Sequence, residues 1–294
     1  VPTYNRAALL EDALTSFYAQ PDIASIPHEL IVVDNNSKDP TREVARRFEN
    51  KPGFRYVFEA VQGLDAARNR GLAEAKGDIL AFLDDDVVIG GGWLAALQRC
   101  FDETGADAVG GRAYLIFDAP PPPWLGKDLR VCLSEVELGA RRKDAGDGRR
   151  LFGLNLAVRR EALARCGGFD DALDRKGGAL LCGGERAMLH AIHRNGGRCI
   201  YEPAMALGHR AGADRLNWDY FLRLAEGMGQ TKAILEKDRP RTAWAAVLIK
   251  IGLYAAANAP LALLARNTTW HKTILFRLRR VQATLRALAH LPRQ

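Results

Sequence analysis

The chain has 294 residues, 48% hydrophobic and 26% charged, with 42 Lys+Arg against 35 Asp+Glu and a formal charge of +7. That is ample to bury a core, and it excludes a disordered chain, a collagen-like repeat and a multi-span membrane protein. The charge is uneven: Gln230 to Gln294 holds twelve Lys/Arg and two Asp/Glu, a net of +10, so residues 1–229 carry −3, which argues against a nucleic-acid groove in the body. In chain order, apolar residues from Ala7 to Ala19 fall at helical spacing. His28 to Asp34 reads as a buried strand ending in an acid, and Asn35 to Pro40 as a turn leading into a helix over Thr41 to Phe48. A strand over Phe54 to Phe58, a helix over Asp65 to Lys76 and a strand over Asp78 to Leu83 follow, the last running into Asp84-Asp85-Asp86. This alternation predicts an α/β fold with a mostly parallel sheet flanked by helices. Further on, Pro120 to Pro123 breaks regular structure, Leu151 to Arg159 reads as a strand and Arg160 to Cys166 as a short helix. Leu173 to Gly184 is glycine-rich and predicted mobile, and Glu185 to Asn195 is predicted helical. Five cysteines, an odd number with no C-x-x-C pair, argue against a disulfide framework or zinc knuckle and favour a reducing compartment.

Ligands of such sheets bind outside the carboxyl ends of the strands, where Asp34 and Asp84 to Asp86 both fall, so the acids are expected to face one site. If the extended form persists through the triplet, Asp84 and Asp86 point one way and Asp85 the other. Neighbouring carboxylates repel and call for a cation or a proton, and hard oxygen donors suit Mg²⁺ or Mn²⁺. A solvated acidic turn is the plain alternative.

With these pieces in view, the chain resembles a family 2 glycosyltransferase of the GT-A (Rossmann-like) fold, from Val1 to about Gln230. Val1-Pro2-Thr3-Tyr4-Asn5-Arg6 and Val32 to Asp39 resemble the nucleotide-binding segments, Gly63 to Gly71 the segment near the diphosphate, and Leu83 to Val87 the D-x-D motif. Gly153-Leu154-Asn155, Gly167 to Asp170 and Gly183-Gly184-Glu185 resemble the acceptor-side segments. The resemblance implies an enzyme of the hexosyl-transferring type that moves a sugar from a nucleotide-diphosphate donor to a saccharide or lipid-linked hydroxyl, with inversion, in surface polysaccharide or glycolipid synthesis. It places Pro2, Thr3, Tyr4, Asn5, Arg6, Asp34, Asn36, Arg68, Asp84 and Asp85 on the donor nucleotide, with Asp34 against the base. Asp86 and His209 become ligands of Mn²⁺ or Mg²⁺, and Asn155, Gly184 and Arg186 lie on the acceptor side. Each role has a plainer alternative: a helix-capping acid for Asp34, a solvated helix face for Arg68, a structural histidine for His209. His190 and His193 read as surface or packing residues.

The family commonly carries two acids at the position of Glu185-Arg186, the second acting as base. Here a cation replaces it, so Glu185 becomes the expected base, with Arg186 holding it ionised or facing an anionic acceptor while Asp170 or Asp171 acts. A catalytically impaired nucleotide-sugar-binding relict and a nucleotidyltransferase are the rival readings. The family's first strand lies just before Pro2, so a segment upstream of Val1 is expected. A domain over 1–229 is expected to be followed by a basic helical extension over 230–294. In it, Ala243 to Ala265 has one charge, Lys250, and as a helix spans about 35 Å, marginal for crossing a bilayer. Ile274, Leu278, Val281, Leu285 and Leu288 repeat at four-and-three spacing among Lys272, Arg277, Arg279, Arg280 and Arg286, with Trp270 placed for an interface. The expectation is attachment to an anionic membrane surface on the cytoplasmic face. The alternative is a helical pair packed on the domain or a partner.

Overall fold

The computed structural model describes residues 1–174, 180–237 and 268–290. Two compact units divide them. The first comprises Val1–Ile116, Ser134–Lys176 and Gly184–Arg210, the second Phe117–Leu133, Gly177–Gly183 and Ala211–Gln294.

In the first unit, β1 (Pro2–Thr3), β2 (Leu30–Asp34) and β3 (Phe54–Phe58) form a parallel sheet, with Thr3 opposite Asp34 and Asp34 opposite Phe58. All five residues of β2 are buried, as expected of a parallel strand covered on both faces. Helix α1 (Ala7–Tyr18) buries Leu10, Ala13, Leu14 and Phe17, an i, i+3, i+4, i+7 stripe. It is followed by α2 (Thr41–Arg46) and α3 (Leu64–Glu74). Asp39 anchors two helices at once: one carboxylate oxygen accepts from the Ala7 amide at 2.9 Å and the other from the Thr41 amide at 3.2 Å.

At β4 (Ile79–Leu83) the direction of pairing changes. β5 (Val87–Ile89), α4 (Trp93–Thr104), β6 (Ala108–Phe117), β7 (Lys143–Asp144), β8 (Asn155–Arg159), α6 (Arg160–Cys166), α7 (Gly184–Arg194) and β9 (Cys199–Ala211) complete the unit, α5 (Lys127–Arg130) belonging to the second. The second sheet runs β4-β8-β6-β9-β5, with antiparallel β4/β8, β6/β8 and β5/β9 ladders and β7 on β9. The α/β expectation holds, but the sheet content is mixed rather than mostly parallel. The predicted strand over Leu151 to Arg159 shortens to Asn155–Arg159, because residues 151–154 turn, with the Asn155 amide donating to the Phe152 carbonyl at 3.1 Å. Between β2 and β4 lies a cavity of about 390 Å³, lined by Leu30, Ile31 and Val33 on one side and Leu80 and Phe82 on the other.

The ladders decide the site. Leu83 pairs with Asn155 and Val87 with His209, so the three aspartates form the link between β4 and β5, with β8 starting beside one end and His209 beside the other.

The second unit contains α5 (Lys127–Arg130), α8 (Trp218–Leu235) and α9 (Thr269–His290). Asn217 caps α8 by accepting from the Tyr220 amide at 2.9 Å. Phe221 is fully buried, with Trp124 at 5.2 Å and Phe276 at 6.2 Å between ring centroids. α9 packs on α8, burying Thr273, Ile274, Phe276, Ala283 and Thr284, while Leu278, Val281, Leu285 and Leu288 stay half-buried. The expected domain boundary at 229/230 falls inside α8, because that helix runs unbroken to Leu235. No described helix is long and apolar enough to cross a membrane. The apolar segment Ala243 to Ala265 lies outside the described residues, as do residues 175–179 of the glycine-rich stretch.

Candidate active site

The extended form does not persist through the acidic triplet. Asp84 follows β4 directly, but Asp85 and Asp86 lie in a turn, so strict alternation fails. Asp85 and Asp86, both buried, instead meet one guanidinium nitrogen. Arg6 Nη1 donates to Asp85 Oδ1 at 2.9 Å and to Asp86 Oδ2 at 3.0 Å. Burial pushes the Asp85 carboxyl up to about 6 against the pull of Arg6, and the neighbouring Asp86 charge adds to the rise. Burial disfavours the Arg6 charge, yet Asp85 and Asp86 outweigh it and raise the Arg6 pKa.

His209 Nε2 stands 3.3 Å from Asp86 Oδ1. The described residues hold no cluster of three or more metal-ligating side chains, so a closed, all-protein metal cage is absent among them. One buried carboxylate beside one imidazole fits a divalent cation that arrives with phosphate oxygens and water to fill its remaining positions.

At the far end of β2, the loops of the first and second predicted nucleotide segments clasp each other. The Asn5 amide donates to Ser37 Oγ at 3.0 Å, and the Lys38 amide donates to Asn5 Oδ1 at 2.7 Å. Asn5 and Asn36 are both left-handed, at φ 53° and 67°, a conformation that Asn tolerates better than most residues. Asp34 is buried, its Oδ1 accepting from the Ser37 amide at 2.9 Å and its Oδ2 from the Tyr56 hydroxyl at 2.7 Å. These contacts hold the turn after β2 rather than cap a helix, since α2 begins only at Thr41, and each oxygen retains a lone pair for a further donor. Pro2 and Thr3 are buried in the sheet, while Tyr4 is 46% exposed beside them.

The third cluster centres on α3. Arg68 is buried, which disposes of the solvated-face alternative; its neighbour Arg70 takes that place, paired with Glu74 at 2.8 Å. Arg68 Nη1 lies 3.3 Å from Asp65 Oδ1 and 3.7 Å from Glu185 Oε2, and Nη2 lies 3.3 Å from Asp84 Oδ1. The guanidinium carbon also sits 5.2 Å from the Phe169 ring centroid. Burial works against the charge, and the three carboxylates together raise the Arg68 pKa.

Two glycines of the acceptor-side segments make room for this cluster. A Cβ on Gly153 would stand 2.6 Å from Arg68 Nη2, and one on Gly184 would stand 2.4 Å from Asp65 Oδ2. Glu185 follows Gly184 in the first turn of α7, where the helix dipole favours its charge. The cation beside Glu185 is Arg68 and not Arg186, which is exposed on α7; the expectation that Arg186 holds Glu185 ionised is corrected accordingly. Asp170 is exposed and accepts from the Ala172 amide at 2.9 Å, a local turn contact. His190 and His193 are exposed, as expected.

Asn155 has a different place from the one expected on the acceptor side. It is buried, its amide donates to the Arg112 and Met205 carbonyls at 2.9 and 2.8 Å, and its oxygen accepts from Trp93 Nε1 at 2.9 Å. Both donors and the carbonyl oxygen are engaged within the core, so the side chain ties β8 to β6, β9 and α4.

Asp65 and Asp174 belong to the site although no motif marks either as a site residue. For Asp65 the one local signal is its i, i+3 spacing to Arg68. Asp174 Oδ1 accepts from the Asp65 amide at 2.8 Å across 109 residues, a contact that no local pattern discloses.

The sequence profile described as Glycosyl transferase family 2 matches residues 1–167. Among curated relatives, glycosyltransferase AglE of Haloferax volcanii is 37% identical over 40% of this chain and 39% of its own. Validoxylamine A glucosyltransferase of Streptomyces hygroscopicus subsp. jinggangensis is 30% identical over 65% and 51%, and succinoglycan biosynthesis protein ExoM of Rhizobium meliloti 29% over 83% and 77%. The chain thus spans about half or less of the length of the first two relatives. The fold is shared with S. aureus TarS 1–349 in complex with UDP-GlcNAc, at a TM-score of 0.53, 14% identity and coverage of 98% and 89%. GalNAc-T7 with UDP, GalNAc and Mn²⁺ aligns at a TM-score of 0.55 and 15% identity over 81% and 50%. A profile match over more than half of the chain, on a GT-A type α/β fold carrying the acidic triplet at the end of β4, settles the assignment: the chain belongs to glycosyl transferase family 2.

Proposed function

We propose that this protein transfers a sugar, with inversion, from a nucleoside-diphosphate sugar to a hydroxyl of a saccharide or lipid-linked acceptor, in the synthesis of a surface polysaccharide or glycolipid. The observation that carries the reading is Arg68, one buried guanidinium that joins Glu185 on α7 to Asp84 at the end of β4. The names of the validoxylamine glucosyltransferase and ExoM, and the UDP-GlcNAc in TarS, support a sugar donor of this class.

Asp34 accepts from the base through its free lone pairs, and Tyr4 lies exposed at the same end of the site. Arg6 and Arg68 supply fixed positive charge toward the diphosphate, and Asp84 orients the ribose side. Asp86 and His209 would hold Mn²⁺ or Mg²⁺, which when bound neutralises charge developing on the leaving diphosphate. Glu185 accepts the proton of the attacking hydroxyl, oriented through Arg68. The placement of Glu185 beside buried Arg68 supports an active enzyme over an impaired relict. A panel of UDP-, GDP- and dTDP-sugars tests this directly. Nucleoside diphosphate release from at least one donor is expected with Mn²⁺ and is expected to vanish with EDTA. Nucleotide binding without metal-dependent turnover of any donor would overturn the reading.

The same proposal places the enzyme on an anionic membrane surface at the cytoplasmic face. In α9, Arg277 pairs with Asp128 at 3.2 Å and Arg279 with Glu226 at 3.0 Å, which leaves exposed Arg286 and the 38%-exposed Trp270 as the residues to test. A Trp270→Ala/Arg286→Glu double variant is expected to bind phosphatidylglycerol vesicles about tenfold more weakly in sedimentation, with donor hydrolysis retained. Unchanged vesicle binding counts against attachment through α9.

A further inference from the structure

One buried acid of the site has no part in the proposed transfer. Asp65 is 3% exposed, and the fold goes to some length to place it. Its amide is held by Asp174, Gly184 leaves the space that its carboxylate fills, and its Oδ1 contacts Arg68 Nη1. Burial drives its carboxyl up to about 6 against the pull of Arg68, with Glu185 and Asp174 adding to the rise. A neutral side chain would occupy the position at less cost, so the charge asks for a reason.

Nη1 of Arg68 supplies one. The same nitrogen faces Asp65 at 3.3 Å and Glu185 at 3.7 Å, while Nη2 faces Asp84. A guanidinium paired with Glu185 alone would close onto it in a short, charge-assisted contact and turn away from Asp84. Divided among three carboxylates, Arg68 stands 3.7 Å from Glu185 and still faces Asp84. The geometry points to Asp65 as a positioning residue: by sharing Arg68 Nη1 with Glu185, it fixes the guanidinium that aims that carboxylate. This inference rests on the reading of Glu185 as the base. The charged groups around the pair are Asp65 and Arg68 of α3, Asp84 after β4, Asp174, and Glu185 of α7.

The test is steady-state and single-turnover kinetics of the full chain with the donor found by the panel. Asp65→Asn keeps the shape of the side chain and removes the charge that shares Arg68 Nη1, and it is expected to lower kcat by about tenfold while the donor KM stays within about twofold. In a Glu185→Gln background the same substitution is expected to cost nothing further, because the two residues act through one guanidinium. An unchanged kcat in Asp65→Asn, or an equal loss in both backgrounds, would overturn the proposal. Should that variant fail to fold, Asp174→Ala, which frees the Asp65 amide, is expected to show the same split between kcat and KM, and its absence overturns the proposal equally. The reading of Glu185 as base fails on a separate result, full turnover by Glu185→Gln.

Discussion

Replacing Glu185 with glutamine is expected to lower kcat by about 10²- to 10⁴-fold and to leave the donor Kd within about twofold. Glutamine keeps the length of the side chain and an oxygen that can face Arg68, so the substitution removes basicity more than shape. The local charge supports a clean result. Arg68 stands among Asp65, Asp84 and Glu185, and removing one negative charge from that group lowers repulsion rather than exposing an unpaired cation. Thermal stability should therefore hold, and loss of turnover can be read as loss of the proton acceptor. Single-turnover kinetics on the donor identified by the panel make the measurement. Full activity in this variant would transfer the base role to another carboxylate.

Replacing Arg6 with alanine is expected to destabilise the protein by about 3 kcal/mol at pH 8 in EDTA, a fall in Tm of about 6–12 °C for a unit of this size. Asp85 and Asp86 are 4% and 3% exposed and share Nη1 of Arg6, so the variant leaves two buried carboxylates without that cation. The Arg6 side chain is itself 39% exposed, which holds the cost to the lower end of the range for a broken buried pair. The pH dependence has a definite sign. Asp85 is already raised to about 6 in the folded protein, so its ionised form costs stability above that pH, and the cost fades as the pH falls through 6 toward 3.8. The deficit of Arg6→Ala should be largest at pH 8 and shrink toward pH 4. Mn²⁺ should also restore part of the lost Tm, because a cation bound to the folded state stabilises it by mass action. An unchanged Tm at pH 8 in EDTA would show that Arg6 is not what balances these acids. The same contact implies competition, since Arg6 and a metal ion both call on Asp86.

The parts of the site that were legible in the sequence are those in which chemistry follows directly from local pattern. The apolar run Leu30 to Val33 is buried on both faces, so it had to be a covered strand, and Asp34 had to leave it at the carboxyl end. Ile79 to Leu83 likewise ends in an acid, Asp84, although Ala81 is exposed and Ile79 only half-buried, and the stripe of Leu10, Ala13, Leu14 and Phe17 forms α1. What local pattern could not carry was the strand direction in the second sheet. Strand, helix and strand in succession predict parallel pairing, and only the β4/β8 and β5/β9 ladders show that β4 opens an antiparallel sheet. Asn155 sits in a stretch that resembles an acceptor-side motif, yet Trp93, Arg112 and Met205 converge on it and hold it in the core.

The sequence by itself determined which charges this protein owns and where along the chain they fall: an acidic body with its carboxylates at strand ends, and a basic tail. Which charge answers which was decided by the tertiary structure alone. Arg6 meets Asp85 and Asp86 across about eighty residues, Arg68 meets Glu185 across more than a hundred, and Arg186, next in sequence to Glu185, points elsewhere. The physical reason is that electrostatic pairing depends on distance and burial in space. Adjacency along the chain guarantees neither: on a helix, successive side chains diverge, while the register of distant strands brings together groups that no local period relates.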